Sequence, residues 1–192
     1  MRMAKSRFLS HLVAAAIAVL TMLIGAAGIS QYGSWIRWNQ LQVDLASLCD
    51  STFVSTEGDR IITLNDDKEQ SIAILKLASQ MHRPTCVTSG RIELRNLDVE
   101  LLDDELSIEN VFSVSVTDDQ PVGFSEAKKL RHAFPNCSLW TFPKITWEDA
   151  VRSELSKFPN GSSIQCYQKP PSGVHHSGFL DLGQAGVTWS GK

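Results

Sequence analysis

The heptapeptide Phe134-Pro-Asn-Cys-Ser-Leu-Trp140 lies where the sequence predicts that a helix ends and a strand begins. Ala127, Leu130 and Phe134 recur at helical spacing, so the segment that begins near Ser125 is predicted to be a helix with these side chains toward the core. Proline cannot continue a helix, and asparagine tolerates the backbone conformation at which many helices end. We therefore expect the helix to end at this heptapeptide and a short strand to follow.

The same succession occurs again 24 residues later. A helix predicted to begin near Thr146 ends at Phe158-Pro-Asn-Gly161, and a strand is predicted from Ser163 to Tyr167. A looser copy, Met81-His-Arg-Pro-Thr-Cys86, ends an earlier helix. A strand–helix unit with a period in the twenties is typical of a solenoid, so we predict an α/β fold built from a few stacked strand–helix units.

Upstream segments extend this pattern toward the amino terminus. Alternating β-branched residues from Val111 to Val116 predict a strand, and RIELRNLDV at 91–99 predicts another with one break in its alternation. Carboxylate and amide side chains at 65–67 can cap the helix predicted for 68–81. The apolar residues that flank the turn at 57–59 predict a hairpin, or a single strand after a turn, before that helix.

Two of these segments resemble leucine-rich repeats. The repeat core of that family is L-x-x-L-x-L, and Val111-x-x-Val114-x-Val116 matches it, as does Phe134-x-x-Cys137-x-Leu139 after 23 residues. Val-Thr-Asp at 116–118 and the Pro-Asn-Cys ending at Cys137 are similar to the last repeat of the short bacterial variety. The clear resemblance covers residues 111–140. Leu94-x-x-Leu97-x-Val99 matches the core again 17 residues upstream, which is shorter than a full repeat.

The resemblance implies a small, degenerate stack that presents a row of exposed strand residues for binding. Leucine-rich repeats bring no catalytic residues with them. The resemblance leaves five side chains on the exposed side of the strands or at their ends, and these form the candidate partner-binding surface: Phe112, Ser113, Ser115, Thr117 and Ser138.

The apolar segment from Leu12 to Ile29, LVAAAIAVLTMLIGAAGI, is predicted to anchor the chain in a lipid bilayer as a transmembrane helix. It contains no charged residue, and as a helix it spans roughly 27 Å, close to the roughly 30 Å of a hydrocarbon core. The basic side chains of Arg2, Lys5 and Arg7 precede it. They favour a cytoplasmic amino terminus and export of the chain beyond about residue 31.

Two other interpretations of this segment stay open. One is a cleaved secretory signal, although the apolar core of a signal is usually about 7–15 residues long and this segment is longer. The aromatic rings of Tyr32, Trp35 and Trp38 follow the segment directly and favour an uncleaved signal-anchor at the membrane–water interface. The other is a buried helix of a soluble protein. The anchor and the cleaved signal both export the domain.

The sequence thus predicts four parts of the chain. They are the basic flank with the transmembrane segment (1–30, helix at about 9–29), a juxtamembrane linker (31–52), an exported α/β repeat-like domain (53–168) and a Gly/Ser/Pro-rich tail (169–192). About 160 residues beyond the apolar segment are enough for one domain with its own core.

Composition excludes some classes of partner and site. A formal net charge of −3 and a pI of about 5.9 give no basic surface for nucleic acid. Cys49, Cys86, Cys137 and Cys166 all lie beyond the apolar segment, where export makes disulfides possible, and the alternative is buried thiols. No CxxC or Cys/His spacing suits zinc, so we expect no metal site.

No catalytic motif stands above background. The serine-hydrolase, P-loop and dinucleotide-binding patterns are absent from the sequence. We therefore expect no catalysis and no cofactor, and predict a single-pass membrane protein whose exported domain is a binding or scaffold module. The alternatives are a secreted binding protein and an enzyme of unrecognised type, which would need a His–carboxylate or Cys–His pair brought together by the fold.

Overall fold

The computed structural model describes residues 2–49, 52–54, 59–81, 90–168, 179–182 and 185–189. The side chains of 2–16, 52–54, 179–181 and 189 lie outside that description. The chain divides into two compact units, Met1–Gln40 and Leu41–Lys192. The fold is mixed α/β, with a parallel sheet and one long apolar helix at the amino terminus.

The first unit consists of most of helix α1 (Arg2–Leu48), which is unbroken over 47 residues. Every side chain from 17 to 37 is exposed, including Ile17 and Leu23. This is the one helix in the described part of the chain that is long and apolar enough to cross a membrane, with a window of mean hydropathy 1.4. The side chains of 12–16, and those of the basic residues expected to set the orientation, fall outside the described residues.

Helix α1 continues through most of the predicted linker, 31–52. That segment contains no proline, so nothing in its backbone ends the helix early. Its apolar side chains Leu41 and Leu45 belong to the second unit and are buried. The end of α1 is therefore part of the folded domain, and the juxtamembrane segment, for which the sequence favours a short helix or a linker, is helical as far as Leu48.

An eight-stranded sheet organises the second unit. Six parallel strands form its centre, and each of them lies beside the next parallel strand along the chain. An antiparallel strand closes each edge. In spatial order the strands are β1 (Thr52–Val54), β2 (Arg60–Thr63), β3 (Ile92–Leu97), β4 (Val111–Val116), β6 (Leu139–Phe142), β8 (Ser162–Cys166), β10 (Ala185–Trp189) and β9 (Phe179–Asp181).

The strand predictions for 111–116, 91–99 and the hairpin are confirmed by β4, β3 and the β1–β2 pair. The break in β3 is a register shift between Leu94 and Leu97, where Asn96 has a φ of 59°. The turn of the hairpin, 55–58, lies outside the described residues.

Three helices connect the parallel strands: α2 (Lys68–Ser79), α3 (Phe124–Ala133) and α4 (Asp149–Leu155). The predicted cap of α2 is confirmed, because the Asp67 carboxylate accepts hydrogen bonds from the backbone N–H groups of Glu69 and Gln70. Between β3 and β4 there is only a 3-10 turn, Val99–Leu101. The connection between β8 and β9 lies largely outside the described residues.

Helix α4 begins three residues later than predicted. A small second sheet, β5 (Pro121–Val122) paired with β7 (Lys144–Ile145), precedes it. The N–H of Thr146 donates to the carbonyl of Val122, 3.0 Å away, which extends this pairing and keeps the backbone out of the helix. Short strands of this kind carry too few residues to show a sequence period.

The predicted tail, 169–192, contributes two strands to the sheet, so the folded domain extends beyond residue 168. Strand β10 pairs in parallel with β8. Its alternate residues Ala185 and Val187 are buried. The Gly/Ser/Pro-rich composition of the flanking sequence favours a flexible end, whereas the five-residue strand β10 is stabilised by pairing with β8.

One row of buried side chains crosses all six parallel strands. Each member is paired in register with the next and is at most 1 % exposed: Ile62, Leu94, Val114, Trp140, Ile164 and Val187. The pairing of Trp140 with Ile164 reproduces the 24-residue separation of the two Phe-Pro-Asn turns.

Phe134 and Phe158, the residues before the two prolines, pack against Trp140 from the helix side. Their ring centroids lie 6.4 Å and 4.6 Å from that of Trp140, and both phenylalanines are fully buried. Aromatic pairs at these separations stabilise beyond the area that they bury. The turn that ends each helix therefore also supplies an anchor for the sheet.

A buried carboxylate joins α3 to α4. Glu154 is 2 % exposed, and its two oxygens accept hydrogen bonds from Arg131 and Lys157, each at 2.8 Å. Burial would raise the pKa of Glu154, but the hydrogen bonds and charges of Lys157 and Arg131 outweigh burial and lower it.

We expect Phe158→Ala to lower the free energy of unfolding of the full chain by about 3–5 kcal/mol, because it removes a ring from the centre of the aromatic core. Phe124→Ala is the matched control, since Phe124 is 47 % exposed. Urea denaturation followed by tryptophan fluorescence measures both. Equal losses for the two variants would contradict this account of the core.

Candidate binding surface

The face of the sheet opposite the buried row is left uncovered by the described residues. We call it the open face. Its side chains are exposed or half-exposed at alternate positions of the six parallel strands: Ile61, Thr63, Glu93, Arg95, Ser113, Ser115, Leu139, Thr141, Ser163, Gln165, Gly186 and Thr188.

The open face is mostly uncharged and hydrophilic. Hydroxyl and amide side chains predominate from β4 to β10, and Leu139 is an apolar position among them at 46 % exposure. On β3, Arg95 donates to Glu93 across 2.6 Å, which neutralises both charges. Parallel sheets are usually covered on both faces. Strands that are buried on both faces are nearly continuous runs of apolar residues, whereas these strands alternate buried apolar and exposed polar side chains. The alternation therefore indicates a sheet with one face in water.

The five residues of the predicted partner-binding surface lie in three places. Ser113 and Ser115 belong to the open face of β4. Phe112 and Ser138 line a cleft where β4 and β6 begin. Thr117 follows the other end of β4 and lines a smaller hollow of about 220 Å³. Their binding of a partner stays a prediction.

The cleft, as we call it from here, has a volume of about 390 Å³ and lies where β3, β4 and β6 begin. Seven of the described residues line it: Arg91, Glu109, Asn110, Val111, Phe112, Asn136 and Ser138. Sequence analysis missed Arg91, Asn110 and Asn136, because each stands in a turn just before a strand, where a polar residue is unremarkable.

Arg91 is held in the cleft wall by two neighbours. Its guanidinium donates to the Asp59 carboxylate, with Nη2 to Oδ2 at 2.8 Å. The backbone N–H of Arg91 donates to the other carboxylate oxygen of Asp59, Oδ1, at 3.0 Å. Its guanidinium carbon lies 4.5 Å from the centroid of the Phe112 ring. Burial would raise the pKa of Asp59, but the hydrogen bonds and charge of Arg91 outweigh burial and hold it below its ordinary value of 3.8.

Backbone groups hold the rest of the cleft wall. The side-chain N–H of Asn136 donates to the carbonyl of Glu109 at 3.0 Å. The N–H of Ser138 donates to the carbonyl of Phe112 at 3.1 Å, and its hydroxyl approaches the same oxygen at 3.4 Å. The carbonyl of Asn110 accepts from the N–H of Ile92 at 2.9 Å. The side chain of Asn110, 8 % exposed, has no hydrogen-bond partner in the described structure for either its nitrogen or its oxygen.

Cys137 and Cys166 are buried thiols and are not joined in a disulfide. Each lies near the carbonyl oxygen two residues on, Leu139 at 3.2 Å and Gln168 at 3.4 Å. Burial raises the pKa of Cys137 to about 12 and also raises that of Cys166, so neither is a reactive thiolate at neutral pH. Cys49 is half-buried at the end of α1, and Cys86 lies outside the described residues.

No protein family, curated protein or solved structure matches this chain. Among the described residues, no group of three or more His, Cys, Asp or Glu side chains is placed to hold a metal ion. The open face and the cleft are therefore the features from which a function can be argued.

We expect Asp59→Asn to lower the free energy of unfolding by about 1.5–3 kcal/mol at neutral pH, the usual range for a hydrogen bond to a charged group. Because the pKa of Asp59 is lowered in the folded state, its contribution is present above pH 3.8 and is lost as the pH falls below that value. The variant should therefore lose less stability on acidification than the parent chain does. Asp119→Asn, on an exposed turn, is the control, and a variant as acid-sensitive as the parent would contradict the role of Asp59.

Proposed function

We propose that this chain is a single-pass membrane protein whose exported domain binds a protein partner through the open face of a short leucine-rich-repeat-like solenoid. The observation that carries the proposal is the open face itself. In the described structure the six parallel strands bury one side, and the other side presents mostly uncharged polar side chains at alternate positions. Such rows of strand residues are the surfaces that solenoid proteins use for binding.

The order of the strands supports the repeat-like part of the proposal. Neighbouring parallel strands follow one another along the chain, and β4–β6 and β6–β8 are each joined through a helix. Phe134 and Phe158, which precede the two prolines, both pack against Trp140. The first L-x-x-L-x-L segment coincides with β4 and buries Val111, Val114 and Val116, whereas Leu139 alone of the second segment lies in a strand, β6, where its side chain is exposed.

The exposure of α1 supports the anchor. The apolar side chains from 17 to 29 are all exposed, and a helix this apolar is stable in contact with lipid. The basic residues before it favour a cytoplasmic amino terminus and an exported domain. The secreted alternative differs only in cleavage of the same segment.

The intact mass of the native protein, from membrane and soluble fractions, distinguishes anchor from secreted protein. We expect the full-length mass, confined to the membrane fraction, because the apolar segment exceeds the usual signal length. A soluble species that lacks roughly the first 28 residues would contradict the anchor and favour the secreted alternative.

A photo-crosslinking amino acid at Thr141, on the open face, tests the binding function in intact cells. We expect an adduct of defined mass at Thr141 and none from the same probe at Lys128, which is exposed on helix α3. Thr141→Arg should lower the yield from a probe at the adjacent Gln165 by about tenfold, because a buried unpaired charge costs more than about 1.4 kcal/mol. Equal adducts at Thr141 and Lys128, or no adduct at Thr141, would contradict the proposal.

A further inference from the structure

The cleft contains a buried amide whose hydrogen-bonding groups are unused. Asn110 is 8 % exposed, and neither Nδ2 nor Oδ1 has a hydrogen-bond partner among the described residues. A carboxamide carries two donor hydrogens and an acceptor oxygen. Burying such a group without partners costs folding free energy, and native proteins retain few of them without a function or a bound ligand.

The other polar groups of the cleft that are described already have neighbours. Arg91 is bound to Asp59, and its guanidinium lies against Phe112. Asn136 donates to the carbonyl of Glu109. Asn110 is thus the lining residue whose side chain has neither its donors nor its acceptor used in the described structure.

The charges of the cleft select against an anionic ligand. The positive charge of Arg91, the cation among the described lining residues, is balanced by Asp59 at 2.8 Å. The group that best satisfies an unpaired carboxamide is a neutral one that both donates and accepts, and a second amide does this with two parallel hydrogen bonds. The volume of about 390 Å³ is in the range of clefts that hold small ligands, and suits a short piece of peptide.

We propose that the cleft binds an uncharged, extended segment of the partner protein by pairing the Asn110 carboxamide with a main-chain amide of that segment. This inference rests on the proposed function and names the chemistry that the partner presents at the end of the open face. The amide atoms of Asn110 are shielded from solvent in the structure, so the proposal requires its side chain to rotate toward the cleft when the segment binds. The hydrogen bonds gained on binding favour that rotation, because the Asn110 side chain has no hydrogen bond to a described residue that the rotation would break.

The test uses the full chain in lipid nanodiscs, labelled with ¹⁵N-asparagine, and N-acetyl-alanyl-alanine methylamide as the probe. We expect the side-chain amide signals of Asn110, assigned by their loss in Asn110→Leu, to shift in a saturable manner. An analogue with esters in place of the main-chain amides should bind about tenfold more weakly, because it lacks the donors. Acetate, the anionic control, should cause no saturable shift.

Asn110→Leu separates a binding role from a structural one. A binding role predicts loss of probe binding with an unchanged or raised unfolding midpoint, because the substitution removes a buried polar group that has no partner. A structural role predicts a lowered midpoint. Asn160→Leu, at an exposed position outside the cleft, should leave both probe binding and the midpoint unchanged. Asn110→Asp, which keeps the shape but loses the donors, should also abolish probe binding.

Equal affinity for the amide and the ester, binding retained in Asn110→Leu, or a lowered midpoint in that variant would each overturn the inference. If Thr141 still crosslinks a partner while the cleft shows no amide-dependent shift, the cleft proposal fails and the proposed function stands. If the cleft binds the probe but Thr141 and Lys128 crosslink equally, the open face fails as a partner surface, and the inference that rests on it fails with it.

Discussion

The row of buried side chains that crosses the six parallel strands, from Ile62 to Val187, is the contact on which the rest of the domain depends. Its members come from every parallel strand, so each strand contributes one buried residue to the same layer. Because these residues all point to one side, the helices must cover that side. The other side is left to polar residues, and the open face is a direct consequence of the buried row.

A sheet built in this way has two ends that need protection. At the first edge, β1 is antiparallel to β2, and at the last edge β9 is antiparallel to β10. The end of α1 contributes to the same protection, with Leu45 fully buried and the carbonyl of Leu48 accepting a hydrogen bond from Gln70 at 2.6 Å. An uncovered edge strand presents unpaired N–H and C=O groups to other chains, so covering the edge protects the sheet.

Much of the fold could be predicted where the determining contacts are local. The strand at 111–116 has an uninterrupted alternation, and Asp67 caps α2 through residues two and three positions away. The strands β9 and β10 could not be predicted from composition, since their stability comes from pairing with β8. The predicted start of α4 was too early for a related reason: the backbone N–H of Thr146 donates to the carbonyl of Val122, which is 24 positions earlier in the chain.

The candidate site likewise has parts that follow from local sequence and parts that depend on contacts between distant segments. The apolar segment at 12–29, the strand–helix period and the residues facing away from the core of β4 follow from the order of amino acids, because each depends on neighbours a few residues apart. The cleft depends on the pairing of separate strands: Asp59 and Arg91 are 32 positions apart in the chain, and Phe112 and Ser138 are 26 positions apart. The parallel pairing of β2, β3, β4 and β6 brings these distant residues together. The sequence alone therefore does not show that Asn110 lies beside them, buried and with its amide unpaired.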